Sequence, residues 1–331
     1  MPSPSGNMLL FGYIFFSFEL FTYGIVLAIV FLNLAVIWPT KILHANLKRI
    51  LITQSGAVMF FILVRSVVLV QKFTLDNPFA PANPIIQSVL FFNAIFRHWL
   101  GHVLIIERFL ATVSTNSYEN YSKIRFTFTW FSITFIIAFV NTVTNGQSWT
   151  FTELNLITHT MSTVISLFEY LLIIVIRNYN CRRYINQFEE ASPKNYHIGQ
   201  RYQVSENMKT ATQLSPTFLC LFLANLSSNF FVFVTTFGIV TESNNISLTF
   251  AFGIWIDVFL SAATELTIMT HHPLLKRRLI INLKKILRMN QNHIGTVPTN
   301  TMELAPSTAN PTNGGDEMDA HFKMLQQLWN K

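Results

Sequence analysis

The sequence predicts an all-α membrane protein: a seven-transmembrane helix bundle with its N-terminus outside, an interfacial amphipathic eighth helix and a disordered cytosolic tail. Three observations predict it. Of 331 residues, 51% are hydrophobic and only 12% charged, with 32 Phe and a mean hydropathy of +0.39, far from the balance of a soluble domain. The apolar residues fall in long uninterrupted blocks, not in the period-two alternation of a transmembrane barrel. Lys and Arg gather in alternate linkers, as they do when one set of loops faces the cytosol.

Seven blocks reach the roughly 20 residues that a span requires: 17–38, 50–70, 85–112, 124–144, 156–177, 211–240 and 248–271. The domain organisation follows as a short extracellular N-terminus (1–16), a helical domain (17–271), a juxtamembrane helix (272–289) and a tail (290–331). The apolar run Met8–Phe18 lacks a basic flank and a small-residue cleavage site, so the first span is expected to act as its own signal. Trp38-Pro39 and the stretch from Asn77-Pro78 to Asn83-Pro84 break the pattern between spans. The third block, 85–112, is longer than a hydrocarbon core of roughly 30 Å at about 1.5 Å per residue, and it carries Arg97, His98, His102, Glu107 and Arg108. Between the fifth and sixth blocks a long polar linker runs from 178 to 210. Residues 290–315, rich in Asn, Thr, Pro and Gly, cannot build a packed core.

Every basic residue except Arg65, Lys72 and Arg97 lies in or beside the linkers after blocks 1, 3 and 5 or beyond block 7. This puts those linkers and the C-terminus in the cytosol, which requires an odd number of spans. The formal charge of +7 therefore records orientation and not a nucleic-acid partner. The two cysteines, Cys181 and Cys220, give no disulfide framework. Asn245-Ile246-Ser247 is a possible glycosylation site in the last outer loop.

Charged groups inside the spans are costly in lipid and are functional candidates for that reason. Judged by depth, Arg65 is expected to pair with Asp257, and Arg97 with Glu169, lining a polar cavity or fixing helix register. His98 and His102 share a helix face at a spacing that could hold a metal, but the other histidines lie at other depths. The expectation is therefore hydrogen bonding between helices and no metal or cofactor. Glu107-Arg108 ends the third span on the cytosolic side. An acid beside an arginine can hold it in one state and release it to a partner in another, although interfacial charge alone would also explain the pair. In 274–288, Leu275, Leu279, Leu283, Ile286 and Leu287 fall on one arc and Arg277, Arg278, Lys284, Lys285 and Arg288 on the other, the pattern of a helix lying with its apolar face in lipid. Neither the internal repeats of a transporter nor the convergent nucleophiles of an enzyme are found, so those two classes rank behind a receptor and no enzymatic activity is expected.

Glu107-Arg108-Phe109-Leu110-Ala111-Thr112 followed by Tyr118-Glu119, the run Arg201-Tyr202-Gln203-Val204-Ser205-Glu206-Asn207 before helix 6, and His44-Ala45-Asn46-Leu47 resemble the class epsilon (Sre) family of nematode serpentine chemoreceptors. The resemblance runs from about helix 1 to residue 288. It implies a G-protein-coupled sensory receptor in the plasma or ciliary membrane of sensory neurons, with a small-molecule ligand, a heterotrimeric G protein and membrane lipids as partners. Glu107, Arg108, Arg201, Tyr202, Gln203, Glu206 and Asn207 are the coupling candidates. The chain departs from rhodopsin-like receptors: helix 2 has no acid, helix 6 lacks C-W-x-P, helix 7 ends in His271-His272-Pro273 and no cysteine tops helix 3. Pro216 is left to bend helix 6.

Overall fold

A computed structural model of the chain describes residues 6–40, 43–113, 124–144, 149–189 and 198–286. The tail, 290–331, and Tyr118-Glu119 lie outside the described residues. The described residues form eight helices: α1 (Gly6–Ile37), α2 (Ala45–Thr74), α3 (Pro84–Val113), α4 (Ile124–Thr144), α5 (Trp149–Glu189), α6 (Ile198–Thr236), α7 (Ser243–His271) and α8 (Pro273–Ile286). The first seven are each long and apolar enough to cross a bilayer, and the protein is a seven-transmembrane bundle with a short eighth helix.

The breaks seen in the sequence set the helix ends. Pro39 cannot continue α1, and Lys48 Nζ covers the freed carbonyls of Trp38 and Thr40 at 2.6 and 3.0 Å. Asn83 Oδ1 accepts the Ile85 N–H at 2.9 Å, and Pro84 takes the first position of α3, where a missing N–H breaks no helical bond. Pro273 opens α8 in the same way.

Three spans begin or end away from their expected limits. α1 starts at Gly6 and not at 17, so the run Met8–Phe18 is part of it and Glu19 is carried into the bundle. α5 and α6 continue well past their apolar blocks at the basic end, leaving only 190–197 between them. Helix continuation lets these polar extensions keep their backbone hydrogen bonds beyond the apolar layer. α8 also differs: Leu275 and Leu279 pack into the bundle core instead of facing lipid, while Ile280, Ile281 and Leu283 are exposed.

α3 is the central strut. It packs against α2, α4, α5 and α6, and 61% of its apolar window is buried, against 28% for α4 and for α7. Two apolar cores fill the bundle. Phe16, Tyr23, Val30, Phe61, Ile62, Leu69 and Val258 fill the end away from the basic linkers. Val36, Ile50, Leu51, Leu104, Leu214, Phe218 and Met269 fill the basic end. On α1, α2, α3 and α7 the buried polar side chains Asn33, Gln54, Ser55, Arg97, His98, His102 and Glu265 fall between these two cores.

α6 and α7 meet closely where Gly253 faces the Phe231 ring. A Cβ on Gly253 would stand 2.7 Å from Phe231 Cδ2, inside contact distance, and that ring already makes an edge contact with Phe252. Gly253→Ala is expected to destabilise the bundle by about 1–3 kcal/mol. An unchanged unfolding temperature would show that the ring can swing aside.

Candidate functional site

The polar layer is built on two successive turns of α3. Arg97 donates Nη2 to Asp257 of α7 and Nη1 to Ser261 Oγ at 2.5 Å, and its guanidinium carbon lies 5.0 Å from the centre of the Phe61 ring. His98 Nε2 meets the other Asp257 oxygen at 3.2 Å. Asp257 thus takes a cation and an imidazole from α3, so the pair satisfies both of its oxygens inside the bundle.

His102, one turn along on the same face, points toward α5 and α6. Asn225 donates Nδ2 to the Leu221 carbonyl at 3.1 Å, which turns its Oδ1 toward Ser162, and Ser162 gives its one hydroxyl hydrogen to that oxygen at 2.9 Å. His102 Nε2 must then donate to Ser162 Oγ at 2.9 Å. Its Nδ1 lies 2.8 Å from a Glu169 oxygen. The relay joins α3, α5 and α6 in a single directed chain of hydrogen bonds.

Two expected pairs are corrected. Arg65 bonds Glu19 of α1, Nε to Oε1 at 2.9 Å and Nη2 to Oε2 at 3.2 Å, and not Asp257. Tyr23 donates its hydroxyl to the same Glu19. Arg97 pairs with Asp257 and not with Glu169, which belongs to His102. Depth along the axis misassigned both pairs, because it does not fix which faces meet around the bundle. Glu19 lies well inside α1, which begins at Gly6, and so can reach Arg65.

Sequence reasoning missed a second carboxylate as well. Glu265 of α7 is 1% exposed and accepts hydrogen bonds from Asn33 of α1 and from Ser55 of α2, the latter at 2.8 Å. An acid inside an apolar block was the available signal at both Glu19 and Glu265.

At the basic end, Arg108 folds back on Glu107 in a two-point contact, Nη2 to Oε1 at 2.6 Å with Nε to Oε2 beside it, and both residues are buried. His44 Nδ1 approaches the same carboxylate at 3.8 Å. α5 and α6 are tied to this part of α3: Asn180 donates to Thr112 Oγ1 at 3.2 Å and Asn207 to the Ala111 carbonyl at 2.9 Å. Glu206 approaches His272, just past α7, at 3.8 Å. The run 201–207 thus lies within α6, not before it, and two of its members face α3 and the end of α7. Arg201, Tyr202 and Gln203 are helical, but their side chains lie outside the described residues.

Pro216 lies inside α6. Asn245 sits in the first turn of α7 and donates its amide to Glu242 at 2.8 Å. Among the described residues no group of three or more His, Cys, Asp or Glu gathers to hold a metal ion.

Seven apolar helices around a buried ionic layer, with an acid–arginine pair at the basic end of the third, have the architecture of a serpentine membrane receptor. A family model described as the Sre G protein-coupled chemoreceptor matches residues 4–330, and the chain belongs to that family. It is a multi-pass membrane protein of the chemoreceptor type. A search of curated proteins finds no match.

Proposed function

We propose that this chain binds a small-molecule cue in the half of the bundle away from the basic linkers and passes the signal to a heterotrimeric G protein at the basic, cytosolic end. The observation that carries this reading is that α3 bears both the polar layer, through Arg97, His98 and His102, and the closed Glu107–Arg108 pair one to three turns below. A ligand that favours a different arrangement of α3 against α5, α6 and α7 shifts the population in which Arg108 is released. Release also requires α6 to give up the Asn207 bond to α3, and it opens the surface formed by Arg108 and the α6 segment 201–207. Multi-pass insertion in the plasma or ciliary membrane of sensory neurons, N-terminus outside, completes the proposal.

The test is expression in reporter cells challenged with a broad chemical panel. Guanine-nucleotide-sensitive signalling to at least one compound is expected. Glu107→Gln should raise signalling without ligand, since a neutral amide holds Arg108 less strongly than a carboxylate. Arg108→Ala should abolish the response of each receptor that reaches the surface, with display itself lowered because the buried Glu107 loses its partner. Stoichiometric solute uptake with no nucleotide sensitivity would overturn the reading.

A further inference from the structure

The turn between α6 and α7, at the end of the bundle away from the basic linkers, holds an open-sided groove of about 460 Å³, within the roughly 300–1,000 Å³ of small-molecule sites. Its rim is fixed at both helix ends. Gly238, with φ at 61°, closes α6: its own N–H reaches the Thr235 carbonyl at 3.3 Å, and the Ile239 N–H reaches the Val234 carbonyl at 3.2 Å. Across the turn the Glu242 carbonyl accepts the Ile246 N–H at 2.9 Å and starts α7. The Glu242 side chain caps none of the backbone N–H groups of that helix. Its Oε2 instead accepts the Asn245 amide at 2.8 Å, which holds the carboxylate in place on the groove, and its Oε1 has no partner among the described residues.

The aliphatic side chains Ile239, Val240 and Leu248 line the groove beside Glu242, and Thr241 and Thr249 bring hydroxyls that bond no other group among the described residues. No Lys, Arg or His among the described residues lies within ion-pair distance of Glu242. Lys72, the basic side chain nearest this end of α2, is buried, donates to the Pro78 carbonyl at 2.9 Å and lies 5.0 Å from the centre of the Phe16 ring. Asp76 is a second exposed carboxylate at the same end. The field at this mouth therefore favours cations over anions. An alcohol would cover the aliphatic wall but leave the free carboxylate oxygen without a charged donor. An ammonium carries three donors, enough for Oε1 and two hydroxyls. We infer that the α6–α7 turn is a recognition site for a small aliphatic amine, its ammonium on Glu242 and its chain along Ile239, Val240 and Leu248. This names the chemical class of the cue and rests on the receptor reading above.

The test uses the full chain in lipid nanodiscs, titrated with isopentylamine and followed by ligand-observed NMR, with empty nanodiscs subtracted. Saturable binding is expected, roughly tenfold tighter than that of isopentanol, which keeps the chain and lacks the charge. Glu242→Gln should weaken the amine by about tenfold and leave the alcohol unaltered. Thr249→Val, which keeps the carboxylate, should weaken the amine by about threefold. Amine binding that does not saturate above the empty nanodiscs overturns the proposal, as does an amine affinity unchanged in Glu242→Gln or matched by isopentanol. Reporter responses confined to compounds without an amine also overturn it, while leaving the receptor reading in place. Glu242-dependent amine binding with no guanine-nucleotide-sensitive signalling would instead keep the site and remove the receptor reading.

Discussion

Asp257→Ala is expected to cost the bundle about 3–5 kcal/mol and to remove most of the protein from the cell surface, because it takes from the Arg97 guanidinium its carboxylate partner and leaves Ser261 and the Phe61 face in contact with it. Arg97→Ala should cost about as much by stranding the carboxylate, although His98 remains within 3.2 Å of it and should soften the loss. The double variant carries neither charge, so it should be displayed better than either single variant. That non-additivity is the measurement to make, by surface labelling of all four proteins in parallel. Equal and additive losses would show that the two side chains do not act on each other. Glu169→Ala, by contrast, should leave Arg97 undisturbed and break the His102 relay.

Exchanging the members of the other pair gives the second large effect. Glu19→Arg alone would bury two guanidinium groups against each other beneath Tyr23, and Arg65→Glu alone two carboxylates. Each should abolish folding in the membrane, at a cost of several kcal/mol. The reciprocal variant, Glu19→Arg with Arg65→Glu, restores opposite charges across α1 and α2 and should recover a substantial share of surface display. Arg65→Glu combined with Asp257→Arg should recover none. A rescue by the Asp257 exchange would refute the Glu19 assignment.

The same two pairs show how far the sequence could be read. That Arg65, Arg97, Glu169 and Asp257 lie in apolar blocks, and so need partners, follows from hydropathy alone. Who meets whom does not, because each helix can rotate about its own axis without changing its depth. Packing of small against large residues settles that rotation, as where Gly101 admits Leu221 from α6, and this information is spread over every interface. Helix limits were legible where Asn83-Pro84 or Trp38-Pro39 punctuates the chain. They were not legible where a polar helix simply continues, as α5 and α6 do past their apolar blocks. The arc of α8 was correctly seen as two-faced, but hydrophobicity cannot tell lipid from protein, and Leu275 and Leu279 chose the protein. The family resemblance pointed to Arg108 and to the run 201–207, whereas the buried amides Gln54 and Asn33 belong to no motif and required coordinates.

The uninterrupted length of α5 and α6 has a mechanical meaning. From Glu169 to the end of α5 at Glu189 is about 30 Å at helical rise, and from Asn225 to the start of α6 at Ile198 about 40 Å. If the proposed signalling tilts these helices about a point near His102, a tilt of about ten degrees there sweeps the far tips through roughly 5–7 Å. A cue no larger than a few atoms could in this way swing a surface wide enough for another protein to grip.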